Sequence, residues 1–342
     1  MPHAEACGTR SNTSTLALQS WGIGLIKAEL TEKLKKYALG EAGFDLVGVS
    51  GTLLPEIHAQ ALERWLAQGF AGSMDYMARS GARRADAKSV LASAVSVISL
   101  ALNYHHPEDV RPEGKKTGKV AQYAYGRDYH KVIEAKLKKF SQYILECGGN
   151  GTEIKTYVDT GPLLEKAFAQ AGGLGFFGKN TNIITRNFGS WVFLASVVTN
   201  LDLVADEPHT GSCGSCRICI DACPTGALLG NYEMDATRCI SYLTIEAKEE
   251  PAAEIKNKMG EWVFGCDICQ TVCPYNFRAK TTRHEELYPN KIAGSWADLE
   301  KIETLSDQDQ FVEMFRGSAV KRPKLKGMVR NAKIAAKNAG VV

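Results

Sequence analysis

Cys213-Gly-Ser-Cys216-Arg-Ile-Cys219-Ile-Asp-Ala-Cys223-Pro224 is answered further along the chain by Cys266-Asp-Ile-Cys269-Gln-Thr-Val-Cys273-Pro274. Eight of the ten cysteines lie between Cys213 and Cys273. The run Cys-x-x-Cys-x-x-Cys-x-x-x-Cys-Pro is the spacing of paired [4Fe–4S] clusters, in which the last cysteine of each run ligates the cluster of the other. On that rule Cys213, Cys216 and Cys219 hold one cluster, with Cys273 as fourth ligand. The second run lacks a leading cysteine, and Cys239 fills its place from upstream. Cys239, Cys266 and Cys269 then hold the other cluster, with Cys223 crossing back. Thiolates are soft donors suited to iron, and the prolines behind Cys223 and Cys273 fix a turn at each crossing ligand. Two four-cysteine zinc sites would consume the same thiolates, but a zinc ribbon is spaced differently. Disulfides belong to an oxidising compartment that nothing in the chain marks. Cys7 and Cys147 remain as free thiols, Cys147 packing at the end of a helical run.

With 342 residues and 44 % hydrophobic content, the chain can build two or three domains with a sizeable core. No apolar run reaches a membrane span. Residues 1–24 carry no basic start, no long apolar stretch and no twin-Arg pair. The expectation is a cytoplasmic monomer with no membrane partner, in which residues 1–25 form a disordered extension. Net charge is +3, yet Gly317 to Val342 contains seven Lys or Arg and no Asp or Glu. Two readings fit: a polyanion partner touched by Lys321, Arg322, Arg330, Lys333 and Lys337, or a solvated basic tail.

Apolar periodicity predicts helices over 26–39, 57–66 and 132–145, and strands over 44–49, 95–102, 154–159 and 191–198. Gly161-Pro162 should open a further helix running to Ala171, where Gly172-Gly173 stops it. Helices and strands alternate, so residues 26–205 read as an α/β domain. Residues 206–280 form a ferredoxin-like insert that needs little core because its clusters staple it. Residues 281–342 read as a short helical, basic region, with helices over 296–315 and 327–339.

Gly173-Leu-Gly175-Phe-Phe-Gly178 matches a dinucleotide fingerprint, and Gly173 to Asn180 nearly matches a phosphate-binding loop. The first follows a helix where it should follow a strand, and the second has Asn180 where Ser or Thr must reach Mg²⁺. These glycines read instead as allowing close approach to a large ligand, beside the polar Lys179, Asn180, Thr181 and Asn182. Asp159, at the end of a strand, either caps the following helix or serves as an acid at a ligand site. A helix N-terminus would lower its pKa, and burial would raise it.

Further blocks complete the pattern: Tyr123-Ala-Tyr-Gly126-Arg127-Asp128-Tyr129-His130, Val158-Asp159-Thr160-Gly161-Pro162, Gly175 to Asn182, Arg238 to Glu246, Phe315 to Arg322, and Arg330-Asn331. Together with the cysteine runs they resemble the epoxyqueuosine reductase family. The resemblance implies an α/β cobalamin-binding domain, a two-[4Fe–4S] insert and a helical C-terminal part. It implies reduction of epoxyqueuosine to queuosine at the wobble position of tRNA, with electrons passing from an external low-potential donor through the clusters to cobalamin. Asp159 matches the family's proton donor. Tyr123, Lys179, Asn180, Asn182 and Ser241 fall in the matched blocks as cofactor contacts. Outside these blocks the resemblance adds Arg84 as a cofactor contact, although the family's Arg-x-Asp-Pro reads Arg84-Ala-Asp86-Ala87 here. Two rivals share parts of this pattern. A reductive dehalogenase-like enzyme would leave the basic tail without purpose, and a ferredoxin-type carrier would leave the α/β domain unexplained.

Overall fold

Strand Ser96–Asn103 is buried at every position, which is why its sequence shows no alternation of apolar and charged residues. It is the second strand of a four-stranded sheet at the centre of a computed structural model describing residues 13–107, 109–289 and 293–340, with 13–25 described by backbone alone. In chain order the first region comprises α1 (Thr13–Leu39), β1 (Leu46–Ser50), α2 (Glu56–Ala67), α3 (Asp75–Ser80), β2 (Ser96–Asn103) and β3 (Thr117–Val120). It continues through α4 (Tyr129–Gly148), β4 (Ile154–Tyr157), α5 (Glu165–Ala171), β5 (Phe176–Phe177), β6 (Ile183–Ile184) and β7 (Val192–Thr199). The cysteine-rich region holds α6 (Ile218–Asp221), β8 (Leu228–Gly230), β9 (Glu233–Met234), α7 (Ile240–Ile245), α8 (Ala253–Lys256), β10 (Trp262–Phe264) and α9 (Ile268–Thr271). The chain closes with β11 (Trp296–Asp298), α10 (Leu299–Glu303), α11 (Gln308–Met314) and α12 (Lys324–Asn338).

The central sheet has the order β1-β2-β7-β4, and every pair is antiparallel. The helices alternate with strands in sequence, but they do not enforce a parallel sheet. α1 and α4 cover one face, packing Leu34, Ala38, Ile133 and Phe140 against Ile98, Leu100, Leu102 and Val197. On the other face Ala167 and Phe168 of α5 meet Val97 and Val198. α4 begins where Asp128 accepts the His130 N–H at 3.1 Å, a side-chain cap.

Three expectations need correction. α1 is already helical at Thr13, inside the segment expected to be disordered; Leu16, Ala17, Leu18 and Gln19 are good helix formers and no proline interrupts them. Residues 1–12, Cys7 included, lie outside the described residues. α5 begins only at Glu165, because the Leu164 N–H is tied to the Arg84 carbonyl at 3.0 Å, holding residues 161–164 in a turn. Trp296–Asp298 is a strand within the stretch expected to be helical. It pairs with β3, after which Asp298 caps α10 by accepting the Lys301 N–H.

That pairing matters for assembly. A second sheet of order β10-β3-β11 takes one strand from each of the three regions. α12 seals it, burying Met328, Ala332 and Ala335 against Val263, Phe264 and Phe311. Among the described residues no helix is long and apolar enough to cross a membrane.

Candidate active site

The eight cysteines are all unbridged and fall into two foursomes. Cys219 lies in the field of Cys213, Cys216 and Cys273. Cys266 lies in that of Cys269 and Cys239, and Cys239 in that of Cys223. Cys273 is thus near Cys219, and Cys223 near Cys239. Cys269 also faces Cys219 and Cys223, so the two groups adjoin. Burial pushes the bare thiols of Cys219, Cys239, Cys266 and Cys269 up, an environment in which thiolate forms only against strong positive charge. Backbone N–H groups converge on the sulfurs: those of Ser241 and Tyr242 on Cys239, those of Thr225, Ala227 and Leu228 on Cys223, and Lys179 N–H on Cys213 at 3.4 Å. Such donors stabilise an anionic cluster. The donor set thus fits two iron–sulfur clusters. Among the described residues no three His, Cys, Asp or Glu side chains close on a single metal ion.

The glycine-rich block serves these groups. The β5–β6 hairpin turns through Lys179 to Asn182, with Thr181 in the left-handed region at φ 63°. A Cβ on Gly175 would stand 2.4 Å from the Ile184 carbonyl, and one on Gly178 would stand 2.6 Å from Asn180 Oδ1. The close approach expected toward a ligand is therefore an approach to the chain's own hairpin. Lys179 Nζ donates to the carbonyls of Gly214 (2.7 Å) and Cys216 (2.9 Å), and Asn180 Nδ2 to that of Cys269 (3.4 Å). Both side chains buttress the cluster loops.

Beside the second foursome lies a cavity of about 170 Å³ lined by Tyr104, Tyr129, Asp159, Glu165, Asn182 and Phe193, among others. Tyr104 is fully enclosed and lies in the field of Cys269, which places that end of the cavity against the cluster ligands. Its aromatic wall is continuous: Tyr129 stacks on Phe193 at 4.2 Å, and Tyr123 meets Tyr129 edge-on at 6.1 Å. Glu165 Oε1 is buried without a hydrogen-bond partner. An apolar wall, a polar rim and an unpaired polar atom beside the cysteine groups mark a ligand site rather than plain core, although at about 170 Å³ the cavity takes only part of a large ligand.

Asp159 occupies a left-handed backbone conformation, φ 56°, and is not the cap of α5, whose N-cap is Leu164. Its carboxylate accepts from the Tyr129 hydroxyl at 2.8 Å and stands 3.6 Å from His130 Nε2, an ion-pair distance. The His130 partner holds Asp159 below the usual carboxylate range even though burial pulls the other way. His130 is pushed up to about 9, first by Asp128 and then by Asp159. At neutral pH the pair carries one proton, on the imidazole. Tyr129 and His130 come from the start of α4, and Glu165 from the start of α5. The sequence blocks contained Tyr129 and His130, but only their meeting with Asp159 singles them out.

Residues 212–276 match the family described as 4Fe-4S double cluster binding domain, and residues 84–160 match Epoxyqueuosine reductase QueG, DUF1730. Over 304 residues the chain is 43 % identical to an epoxyqueuosine reductase of Leadbetterella byssophila, spanning 89 % of this chain and 97 % of that one. The chain belongs to the epoxyqueuosine reductase family. It superposes on a selenomethionine-labelled epoxyqueuosine reductase with a TM-score of 0.84 at 31 % identity, covering 92 % and 83 % of the two chains. A second such reductase, with a TM-score of 0.83 at 31 % identity over the same shares, was solved with an epoxyqueuosine-modified tRNA-Tyr stem loop. A third, from Bacillus subtilis, has a TM-score of 0.83 at 30 % identity over 92 % and 82 %, with its catalytic aspartate loop swung out of the active site.

Within this epoxyqueuosine reductase fold two further expected contact residues, besides Lys179 and Asn180, have partners inside the chain. Arg84 is buried, its guanidinium donating to the carbonyls of Gly161 (3.1 Å) and Tyr76 (2.9 Å). It braces the loop that carries Asp159, while its Nε is buried without a hydrogen-bond partner. Arg330 is also buried, spending its donors on the carbonyls of Leu243, Ala247 and Glu249 and on Asn331 Oδ1. It closes the C-terminal end of α7 and offers nothing to a phosphate. Arg322 stays half-exposed, pairing with Glu246 at 2.5 Å above the Tyr76 ring, and its field reaches Asp159. Lys333 and Lys337 are exposed on α12, and Lys321 is half-buried.

Proposed function

We propose that this chain, a cytoplasmic monomer, reduces the epoxide of epoxyqueuosine at the wobble position of tRNA, with Asp159 as proton donor to the departing oxygen. The observation that carries the reading is the cavity that holds Asp159 at one side and abuts the second cysteine foursome at another. The overall change takes up two electrons and two protons, breaks both carbon–oxygen bonds of the epoxide, forms a carbon–carbon double bond and releases water. The electrons come from an external low-potential donor through the two clusters. The family's cobalamin, reaching this cavity with part of one face, would supply the low-potential metal chemistry that side chains lack. Tyr104, Tyr129 and Phe193 would form its apolar wall and Asn182 and Ser190 its polar contacts, with Tyr123 edge-on to Tyr129.

Asp159 is ionised while the cavity is open to water, so it must acquire a proton before giving one. A substrate covering the mouth withdraws the carboxylate from solvent and raises its pKa, drawing the proton across from His130. A base in an anticodon loop can be splayed into such a pocket. Arg322, whose field reaches Asp159, would join Lys321, Lys333 and Lys337 in phosphate contacts. The test is incubation of cobalamin- and cluster-loaded protein with epoxyqueuosine-containing tRNA under strong reduction, followed by mass analysis of the nucleosides. The expected result is loss of one oxygen from the modified base. An untouched epoxide would sink the reading.

A further inference from the structure

The reaction consumes two protons, and the Asp159–His130 pair holds one. The Tyr129 phenol cannot release another, since burial and the neighbouring Asp159 push its pKa far up. A second store must therefore be sought around the cavity, and Glu165 has the right placement. It opens α5 and lines the cavity beside Asp159. The backbone N–H of Asp159 faces its carboxyl. Its Oε1 is buried with no partner, although a buried polar oxygen normally finds one. A neutral carboxylic acid resolves this: one oxygen accepts from the Asp159 backbone, and the other carries a hydrogen directed at whatever fills the cavity.

We propose that Glu165 is a second catalytic acid, storing as a carboxylic acid the proton that converts the departing hydroxide into water. The inference rests on the reductase reading. The proton leaves the Glu165 carboxyl, the released oxygen takes it up, and Glu165 is left as carboxylate until solvent reloads it. No electrons move in this step. Burial, followed by the Asp159 charge, pushes Glu165 up to about 8, so it is loaded at neutral pH. The charged groups that face it are Asp159, which favours loading, and His130, Lys166 and Arg84, which oppose it.

The test compares the loaded full-length protein with Glu165→Gln and Glu165→Ala. Glutamine keeps the shape and the acceptor for Asp159 N–H but has no acidic proton. Single-turnover reduction should fall about a hundredfold in Glu165→Gln, with iron content and corrinoid absorption unchanged. Infrared spectra at neutral pH should show a protonated carboxyl C=O stretch that is absent from Glu165→Gln and fades as pH rises through about 8. If Glu165→Gln turns over within about twofold of the parent while Glu165→Ala does not, Glu165 merely pins the loop and the proposal fails. An absent carboxyl band overturns it as well. Should the parent protein leave epoxyqueuosine untouched, the reaction reading fails, and the infrared band alone decides whether Glu165 stores a proton.

Discussion

Asp159 sits at φ 56°, a conformation costing a non-glycine residue about 1 kcal/mol or more, and such strain persists only where its surroundings enforce it. Here the enforcement comes from Tyr129, His130, Glu165 and, through Gly161, Arg84. Asp159→Asn preserves the bond from Tyr129 but cannot donate an acidic proton. Its turnover should drop at least about a hundredfold with both clusters and cobalamin retained; unimpaired turnover would remove Asp159 from the chemistry. His130→Gln should reveal the pair through stability. The His130 pKa is raised on folding, so its contribution is fully present below the unfolded value near 6.5 and is lost as pH rises through about 9. Because the Asp159 side chain, though flanked by protein, keeps 61 % of its surface open to solvent, the stability gap between parent and variant, read by chemical denaturation, should be at most about 1 kcal/mol at pH 6 and should vanish above pH 9. Asp159 was legible in the sequence because a strand, an acid and Gly-Pro stand in a row. Its partners were not, because proximity between the starts of two helices is a property of packing and leaves no local pattern. Nor could the sequence choose between capping and acid chemistry, which turned on where α5 begins.

At the scale of elements, periodicity located most of the sheet and α4 to within a few residues, because their apolar faces are continuous. It failed for Trp296–Asp298, where pairing to β3 overrides helical propensity. It also misread α12, where a basic stripe looked uniformly exposed. Arg330 is distinguished from Lys333 and Lys337 only by the carbonyls of α7 and the segment after it that wait beneath it. Arg330→Ala should therefore cost about 3 kcal/mol in denaturant titration by leaving several buried carbonyls unpaired, with no specific effect on RNA affinity once folded. Cys239→Ala tests the least regular ligand. Iron content should fall toward half, and a value equal to the parent's would refute the assignment of Cys239 to the second cluster.

At the scale of the molecule, one three-stranded sheet joins regions that look separable in sequence, and it brings the basic helix α12 onto the same body as the cavity. Lys333→Ala and Lys337→Ala should leave stability within about 0.5 kcal/mol of the parent. Each should lower the slope of log affinity for tRNA against log salt by about 1; an unchanged slope would mean that face does not meet the RNA. The exchange of fourth ligands carries a further consequence, for biogenesis. The first foursome is incomplete until Cys273 has been synthesised, and the second until Cys269 has. As the ribosome extends the chain, neither metal centre can be sealed before the other is almost ready, however early the leading cysteines emerge. On that ligand assignment, iron–sulfur loading is deferred until the α/β region is fully synthesised.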